Sequence, residues 1–494
     1  MSSTLRLLAN QAFSRTAGAP LVAGNRVRLL RDARENYPAW LDAIASARRW
    51  IHFESYILYS DRAGRMFAEA LAERARAGVR VRVLCDWLGS LNKTSRAYWR
   101  GLQAAGIDAR LFNPLRLAAP LAALSRDHRK MIAIDGHTAF VAGLCVGDQW
   151  LGDPGRDIEP WRDTGVGIEG PAVADIEAAF ADAWAHAGPP LPGEERQVVP
   201  APPAGDVALR VVASMPSMGG VLRLDQLVAA VARHRLWVSD AYFVGGPLYV
   251  EALLGAARDG VDVRLLVPGS GTDLAAVQKL TRAGYRVLLE GGVRVFEWNG
   301  TMMHAKTAVA DGRWARVGST NLNLQSWLGN WELDVAVEDD RFGAEMEAMY
   351  EADLANTTEI VLSHRRVRPT RAEARGRKRP RSGGSTSRAA AGALRIGNTF
   401  GAVLTAKRPV GPAEAVMLLY GAGLALGVAA LALVVPALVA IPLGLFVAWL
   451  GLSWGWQSWT LFRARRHEPQ GSATTGEGTT GGSGEAGLVD RVKD

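Results

Sequence analysis

Short apolar runs rich in branched side chains recur at residues 80–84, 131–135, 263–267 and 307–311. Each is too brief for a helix and suits a buried strand. Between them, residues 66–77 and 248–258 place apolar side chains at helical spacing. Strands alternating with helices predict an α/β layered fold. The pattern changes at residues 415–462, 48 positions without one charged side chain. A span needs about 20 residues to cross a hydrocarbon layer of about 30 Å, so this stretch predicts two transmembrane helices, with Pro436 and Pro442 bracketing the turn. A buried helical pair in a soluble core is the competing reading, and the length of the charge-free run counts against it.

Charge adds a second boundary. The 494-residue chain carries +8, but residues 364–395 alone carry +10, from 11 Lys or Arg against one acid. The rest is nearly neutral. With too little apolar surface to fold, 364–395 reads as a basic disordered linker, and the Gly/Ser/Thr-rich 463–494 as a disordered tail. Lys407 and Arg408 precede the apolar stretch and Arg463, Arg465 and Arg466 follow it, which predicts both of its ends in the cytoplasm. The N-terminus lacks the pattern of a secretory signal, so export is not expected. Cys85 and Cys145 fall in strand-like runs and read as buried thiols.

One chemical phrase occurs twice. His128, Lys130 and Asp135 form H-x-K-x4-D, and His304, Lys306 and Asp311 repeat it 176 residues later. With 8 His, 7 Lys and 26 Asp in the chain, chance supplies roughly 0.006 copies. Both copies use Lys in a chain with 50 Arg. Upstream, residues 51–56 correspond to 237–242 and 78–84 to 260–266, so the repeat is a whole domain rather than a solenoid unit. The predicted divisions are an N-terminal segment (1–23), a first half (24–199), a hinge (200–206), a second half (207–363), the linker (364–395), a juxtamembrane segment (396–414), the spans (415–462) and the tail.

The repeated motif resembles that of the phospholipase D superfamily, whose members join two such halves around one active site. The resemblance covers roughly residues 24–353. It is nearest to the bacterial cardiolipin synthases, through Tyr56-Ile57 with Asp61, residues 73–79, Phe112-Asn113-Pro114, Gly147-Asp148, and Trp161-Arg162-Asp163-Thr164 ahead of Glu169-Gly170-Pro171. Where the family has Gly-Gly-x-Asn after the first motif, this chain has Ala142-Gly143-Leu144-Cys145. The family's membrane segments precede its catalytic halves, and here they follow. The expected fold is therefore two phospholipase D-like α/β domains sharing one active site, plus a C-terminal helical hairpin.

Alternate side chains of a strand share a face, so each His should point with its Lys, gathering two imidazoles and two ammonium groups in one cleft. Such a set suits phosphodiesters: one imidazole attacks phosphorus, the other protonates the leaving alkoxide, and the lysines hold the non-bridging oxygens. The motif does not say which His does which. By resemblance, His128 is the nucleophile and His304 the acid, then base. Ser319 and Asn321 match the family's hydrogen-bonding positions, Glu332 an acidic one, and Asp135 and Asp311 are expected to fix architecture or partner the imidazoles. Glu332 reads equally well as a surface carboxylate at a strand edge.

No cofactor is implied, and zinc is disfavoured because neither a Cys pair nor a His-x3-His spacing occurs. His52 and His137 read as structural; Trp314, Trp327 and Trp331 read as core, or as an acyl groove. The activity the resemblance implies is phosphatidyl transfer between two phosphatidylglycerols at the bacterial inner membrane, with the catalytic halves on its cytoplasmic side. The linker is expected to bind anionic lipids or to act as a solvated tether. Hydrolysis with water as acceptor, a membrane-tethered nuclease and a non-enzymatic lipid-binding scaffold are the alternatives. A nearly neutral body disfavours nucleic acid.

Overall fold

The computed structural model describes residues 3–115, 124–362 and positions 448, 449, 451 and 452. The linker, juxtamembrane, spanning and tail segments expected from the sequence lie outside these, apart from those four helical positions. Among the described residues no helix is long and apolar enough to cross a membrane.

The first half supplies β1 (Val22–Arg31), β2 (Trp50–Ser55), β3 (Arg80–Asp86), β4 (Asp108–Phe112), the two-residue β5 (Arg126–Asp127), β6 (Lys130–Ile134), β7 (Thr138–Ala142) and β8 (Thr164–Glu169). The second supplies β9 (Val207–Ser214), β10 (Arg235–Ser239), β11 (Asp262–Pro268), β12 (Arg294–Trp298), β13 (Thr307–Ala310), β14 (Trp314–Gly318), β15 (Asn330–Glu338) and β16 (Thr357–Ile360). All but β5 join one path, β16-β12-β11-β10-β13-β14-β15-β9-β1-β8-β7-β6-β2-β3-β4. Read outward from the β9–β1 junction, the two arms repeat the same order. The duplication is therefore a pseudo-twofold within one continuous sheet.

Strand periodicity sorts the core. In β6, Met131 and Ala133 enter one cluster while Ile132 and Ile134 enter another. The first cluster is common to both halves: Val166, Ile168, Leu209, Val335 and Val337 meet Phe180 and Trp184 of helix Val173–Ala187 and Met346 and Met349 of helix Asp340–Leu354. The opposite sheet face carries a separate core in each half. One shared core and a common sheet leave the halves no independent surface on which to slide. Within the segment expected to join the halves, the Ala204 amide donates to the Gly24 carbonyl at 2.8 Å.

The aspartate that closes each motif holds the turn at the end of its strand. Asp135, left-handed at φ 55°, accepts the backbone N–H groups of Arg48, Arg49 and Trp50 at 2.8 Å. Asp311, at φ 52°, accepts those of Arg233, His234 and Arg235 at 2.8 to 2.9 Å. Asp is one of few side chains that tolerate this backbone while satisfying three donors. Burial opposes ionisation of Asp311, but the three amides outweigh it and hold its carboxyl below the usual range. Its stabilisation is thus present above about pH 3.9, the unfolded value, and lost as pH falls through the lower folded value. Asp311→Ala should cost about 2 kcal/mol at pH 7 and Asp311→Asn, which keeps the backbone tolerance, about half that. Thermal unfolding of the two variants ranks them; equal losses would show that the backbone conformation contributes nothing.

Candidate active site

Both motif histidines sit just ahead of their strands rather than inside them, because each segment first pairs with the opposite half. The His128 amide donates to the Trp331 carbonyl at 2.9 Å, and the His304 amide to the Arg162 carbonyl at 2.7 Å. Each acceptor immediately precedes a buried carboxylate, and that carboxylate takes the imidazole. His128 Nδ1 lies 2.9 Å from Glu332 Oε2, and His304 Nδ1 lies 2.7 Å from Asp163 Oδ2. The first half's histidine is held by the second half's acid, and the reverse.

The two acids are equivalent positions. Ala142 of β7 pairs with Gly165, and Gly318 of β14 pairs with Asp334. Asp163 and Glu332 each lie two residues before those partners. Glu332 is thus a central, fully buried strand residue, not a surface carboxylate at an edge. Its two oxygens also accept from Ser319 Oγ at 2.5 Å and Asn330 Nδ2 at 3.1 Å. Asp163 instead accepts from Trp150 Nε1 at 3.0 Å and from the Thr164 amide at 2.8 Å. Asp135 and Asp311, the expected alternatives, are spent on turns and touch neither imidazole.

Two buried guanidiniums fix the segments that carry the acids. Arg129 reaches the carbonyls of Glu332 at 3.2 Å, Ala179 at 2.6 Å and Ser214 at 3.3 Å. Arg162 forks onto Asp353 at 2.8 and 2.9 Å and also meets Asp32 at 3.1 Å. A planar five-donor group suits such multi-partner sites better than a lysine would.

Lys130 and Lys306 are buried, each donating to its own histidine's carbonyl. Their ammonium groups lie 5.3 Å from the Tyr56 ring and 5.8 Å from the Tyr242 ring. These rings meet the imidazoles edge-on, Tyr56 at 4.9 Å from His128 and Tyr242 at 5.8 Å from His304. Burial lowers the pKa of His128; it lowers that of His304 to about 3, with Lys306 adding to the effect. Both imidazoles are neutral before an anion arrives. Lys306 is itself pushed down to about 8 by burial. Glu332 and Asp163 stay below the usual carboxylate range although burial opposes it, because the imidazole N–H groups that face them and the nearby lysine charges favour the anion.

Asn321 is buried, its backbone N–H donating to Ser326 Oγ at 3.3 Å. Cys145, in Asn321's place in the repeat, is a buried thiol, and so is Cys85. His52 is buried between Glu177 and Glu195, stacked on Phe180 at 4.4 Å, and His137 is exposed; neither reaches the motif imidazoles. Trp314, Trp327 and Trp331 are core residues. Residues Trp150 and Trp161, both 5.5 Å from the His304 ring, line that side instead.

The family model described as "Cardiolipin synthase, PLD-like domain" matches residues 40–148 and 228–354. Cardiolipin synthase A of Pseudomonas aeruginosa (strain LESB58) is 34% identical over 364 residues, 72% of each chain. Probable cardiolipin synthase YwiE of Bacillus subtilis (strain 168) is 32% identical over 341 residues, 68% of this chain and 67% of that one. Among solved structures, a phosphatidylserine synthase of Haemophilus influenzae Rd KW20 shares the fold, with a TM-score of 0.56 and 13% identity over 71% of this chain and 91% of the other. With both His-Lys motifs joined in one site and such relatives along most of its catalytic body, the chain belongs to the cardiolipin synthase family of phospholipase D-like enzymes.

Proposed function

We propose that this enzyme moves a phosphatidyl group from one phosphatidylglycerol to another through a phosphohistidine on His128, releasing glycerol. The crossed pairs His128–Glu332 and His304–Asp163 carry the reading. Glu332 engages Nδ1 of His128, so the proton belongs on Nδ1 and the Nε2 lone pair is left for phosphorus. As Nε2 attacks, the bond from phosphorus to the glycerol oxygen breaks and His304 supplies the proton that oxygen needs. Burial and, after it, the Lys306 charge keep His304 neutral; an incoming phosphodiester between Lys130 and Lys306 offsets the lysine charge and so favours protonation of the acid as substrate binds. In the second step a hydroxyl of another phosphatidylglycerol attacks phosphorus, the P–N bond breaks, and His304 takes the proton. The lysines hold the non-bridging oxygens throughout. Both lipids being anionic, the basic 364–395 and the apolar 415–462 would keep the cleft at the cytoplasmic face of the inner membrane.

Full-length protein in detergent with phosphatidylglycerol and chelator should yield cardiolipin and free glycerol by mass spectrometry, and His128→Ala and His304→Ala should each abolish both. Phosphatidic acid as the main product would make water the acceptor and the protein a hydrolase. Glu332→Gln and Asp163→Asn should lower kcat by about 10²- to 10⁴-fold, as expected for misdirected imidazoles, with folding intact by circular dichroism. Wild-type rates in either variant would remove its carboxylate from the mechanism.

The pH profile tests Lys306 separately. Its ammonium form is lost from about pH 8 upward, well below an ordinary lysine, so kcat/KM should decline above that pH. Lys306→Arg should be slower but should not show this alkaline limb. A flat wild-type profile to pH 10 would contradict the assignment.

A further inference from the structure

The two half-sites match at their histidines and differ in what stands above them. On the His304 side, the Tyr242 hydroxyl donates to Asp273 Oδ1 at 2.9 Å, and Asp273 is open to solvent. The Tyr242 ring also meets His304, so this carboxylate stands one side chain beyond the imidazole. Trp150, edge-on to His304, packs against Tyr59 at 6.3 Å, and the Lys93 ammonium lies 5.5 Å from the Tyr59 ring. Tyr59 and Trp150 thus link Lys93 to the His304 side of the site. On the His128 side Asp86, the last residue of β3, is consumed: it is buried and accepts from the amides of Gly89 and Asp127 at 2.8 and 3.0 Å and from Arg126 at 3.2 Å.

The geometry points to a polyol subsite at Asp273, Tyr242, Tyr59 and Lys93 that seats the glycerol head group next to His304. This rests on the proposed phosphatidyl transfer and says how its acceptor is chosen. A carboxylate accepts from two neighbouring hydroxyls at once, a task neither water nor a monohydric alcohol can match. Lys93 counters a cationic head group and offers a charge partner to the acceptor lipid's own phosphodiester. The leaving glycerol oxygen of the first step takes a proton from His304 and the accepting glycerol hydroxyl of the second returns one to it, so one subsite serves both. In the second step the seated hydroxyl oxygen bonds to phosphorus, the P–N bond to His128 breaks with its electron pair returning to Nε2, and the hydroxyl proton passes to His304.

Acceptor competition tests this with full-length protein in phosphatidylglycerol micelles. Isotope-labelled glycerol, ethanol and ethanolamine are supplied together, and labelled phosphatidylglycerol, phosphatidylethanol and phosphatidylethanolamine are quantified. Wild type should favour glycerol over both rivals at equal concentration. The glycerol-to-ethanol product ratio should fall about tenfold or more in Asp273→Asn, and in the same direction in Tyr242→Phe. A ratio unchanged within about twofold in both variants overturns the subsite, as does ethanolamine outcompeting glycerol in wild type. Loss of all three products in Asp273→Asn also overturns it, since the residue would then serve chemistry or folding and not choice of acceptor. Wild-type protein that turns over no phosphatidylglycerol defeats the transfer reading itself; turnover with an unchanged ratio defeats the subsite alone.

Discussion

Everything in the catalytic body depends on one reciprocal exchange: each half lends its buried acid to the other half's histidine. Glu332 orients His128 and Asp163 orients His304, and the backbone amide of each histidine donates to the residue just before the acid that holds it. Neither half can complete the imidazole–carboxylate pair of its own motif alone. Removing either imidazole leaves a buried carboxylate without its hydrogen-bond partner, at a cost of about 1–3 kcal/mol or more, so the halves are bound together by their chemistry as well as their shared core. This accords with a sheet that runs unbroken through the β1–β9 junction.

Symmetry of frame does not give symmetry of environment. Serine and asparagine side chains hold Glu332, while an indole and a backbone amide hold Asp163. Cys145 occupies in the first half what Asn321 occupies in the second. The loop after β3 brings Lys93 to the mouth, and the loop after β11 brings Asp273. A two-step transfer needs one histidine to hold phosphorus and the other to move protons. Duplication supplies two equal imidazoles, and the loops, free of the pairing constraints of the sheet, make them unequal.

The motif histidines, the lysines and Glu332 were legible because they recur at fixed spacing or match a family position. Strand positions were legible too, since 80–84, 131–135, 263–267 and 307–311 all lie on observed strands or the turns that close them. Asp163 was visible only as part of a family segment, with no role. The histidines are 176 residues apart but their acids only 169, because the stretch from Ala142 to its strand partner Gly165 is seven residues longer than that from Gly318 to its partner Asp334. At constant offset Asp163 falls on Asp339, the cap of a helix, and the equivalence disappears. It returns only through strand register, which pairing fixes and spacing does not. The motif aspartates misled for a related reason: the formula places them beside the His and Lys in sequence, while a five-residue strand carries them to the opposite end of the sheet.

Burying two imidazoles, two ammonium groups and two carboxylates is expensive, and the pairing of the acids explains why the site withstands it. Each carboxylate remains charged against the pull of burial, and each imidazole remains neutral. The fixed charges of the free site are thus two anions behind the imidazoles and two lysine cations at their sides, a balanced set with its dipoles already aimed. Preorganised charge of this kind costs nothing to rearrange when a phosphodiester enters. The expense was met in folding, through Arg129, Arg162 and the common core, and it follows that a substitution at Asp353, which touches neither histidine, acts on the site through the Arg162 guanidinium that it holds.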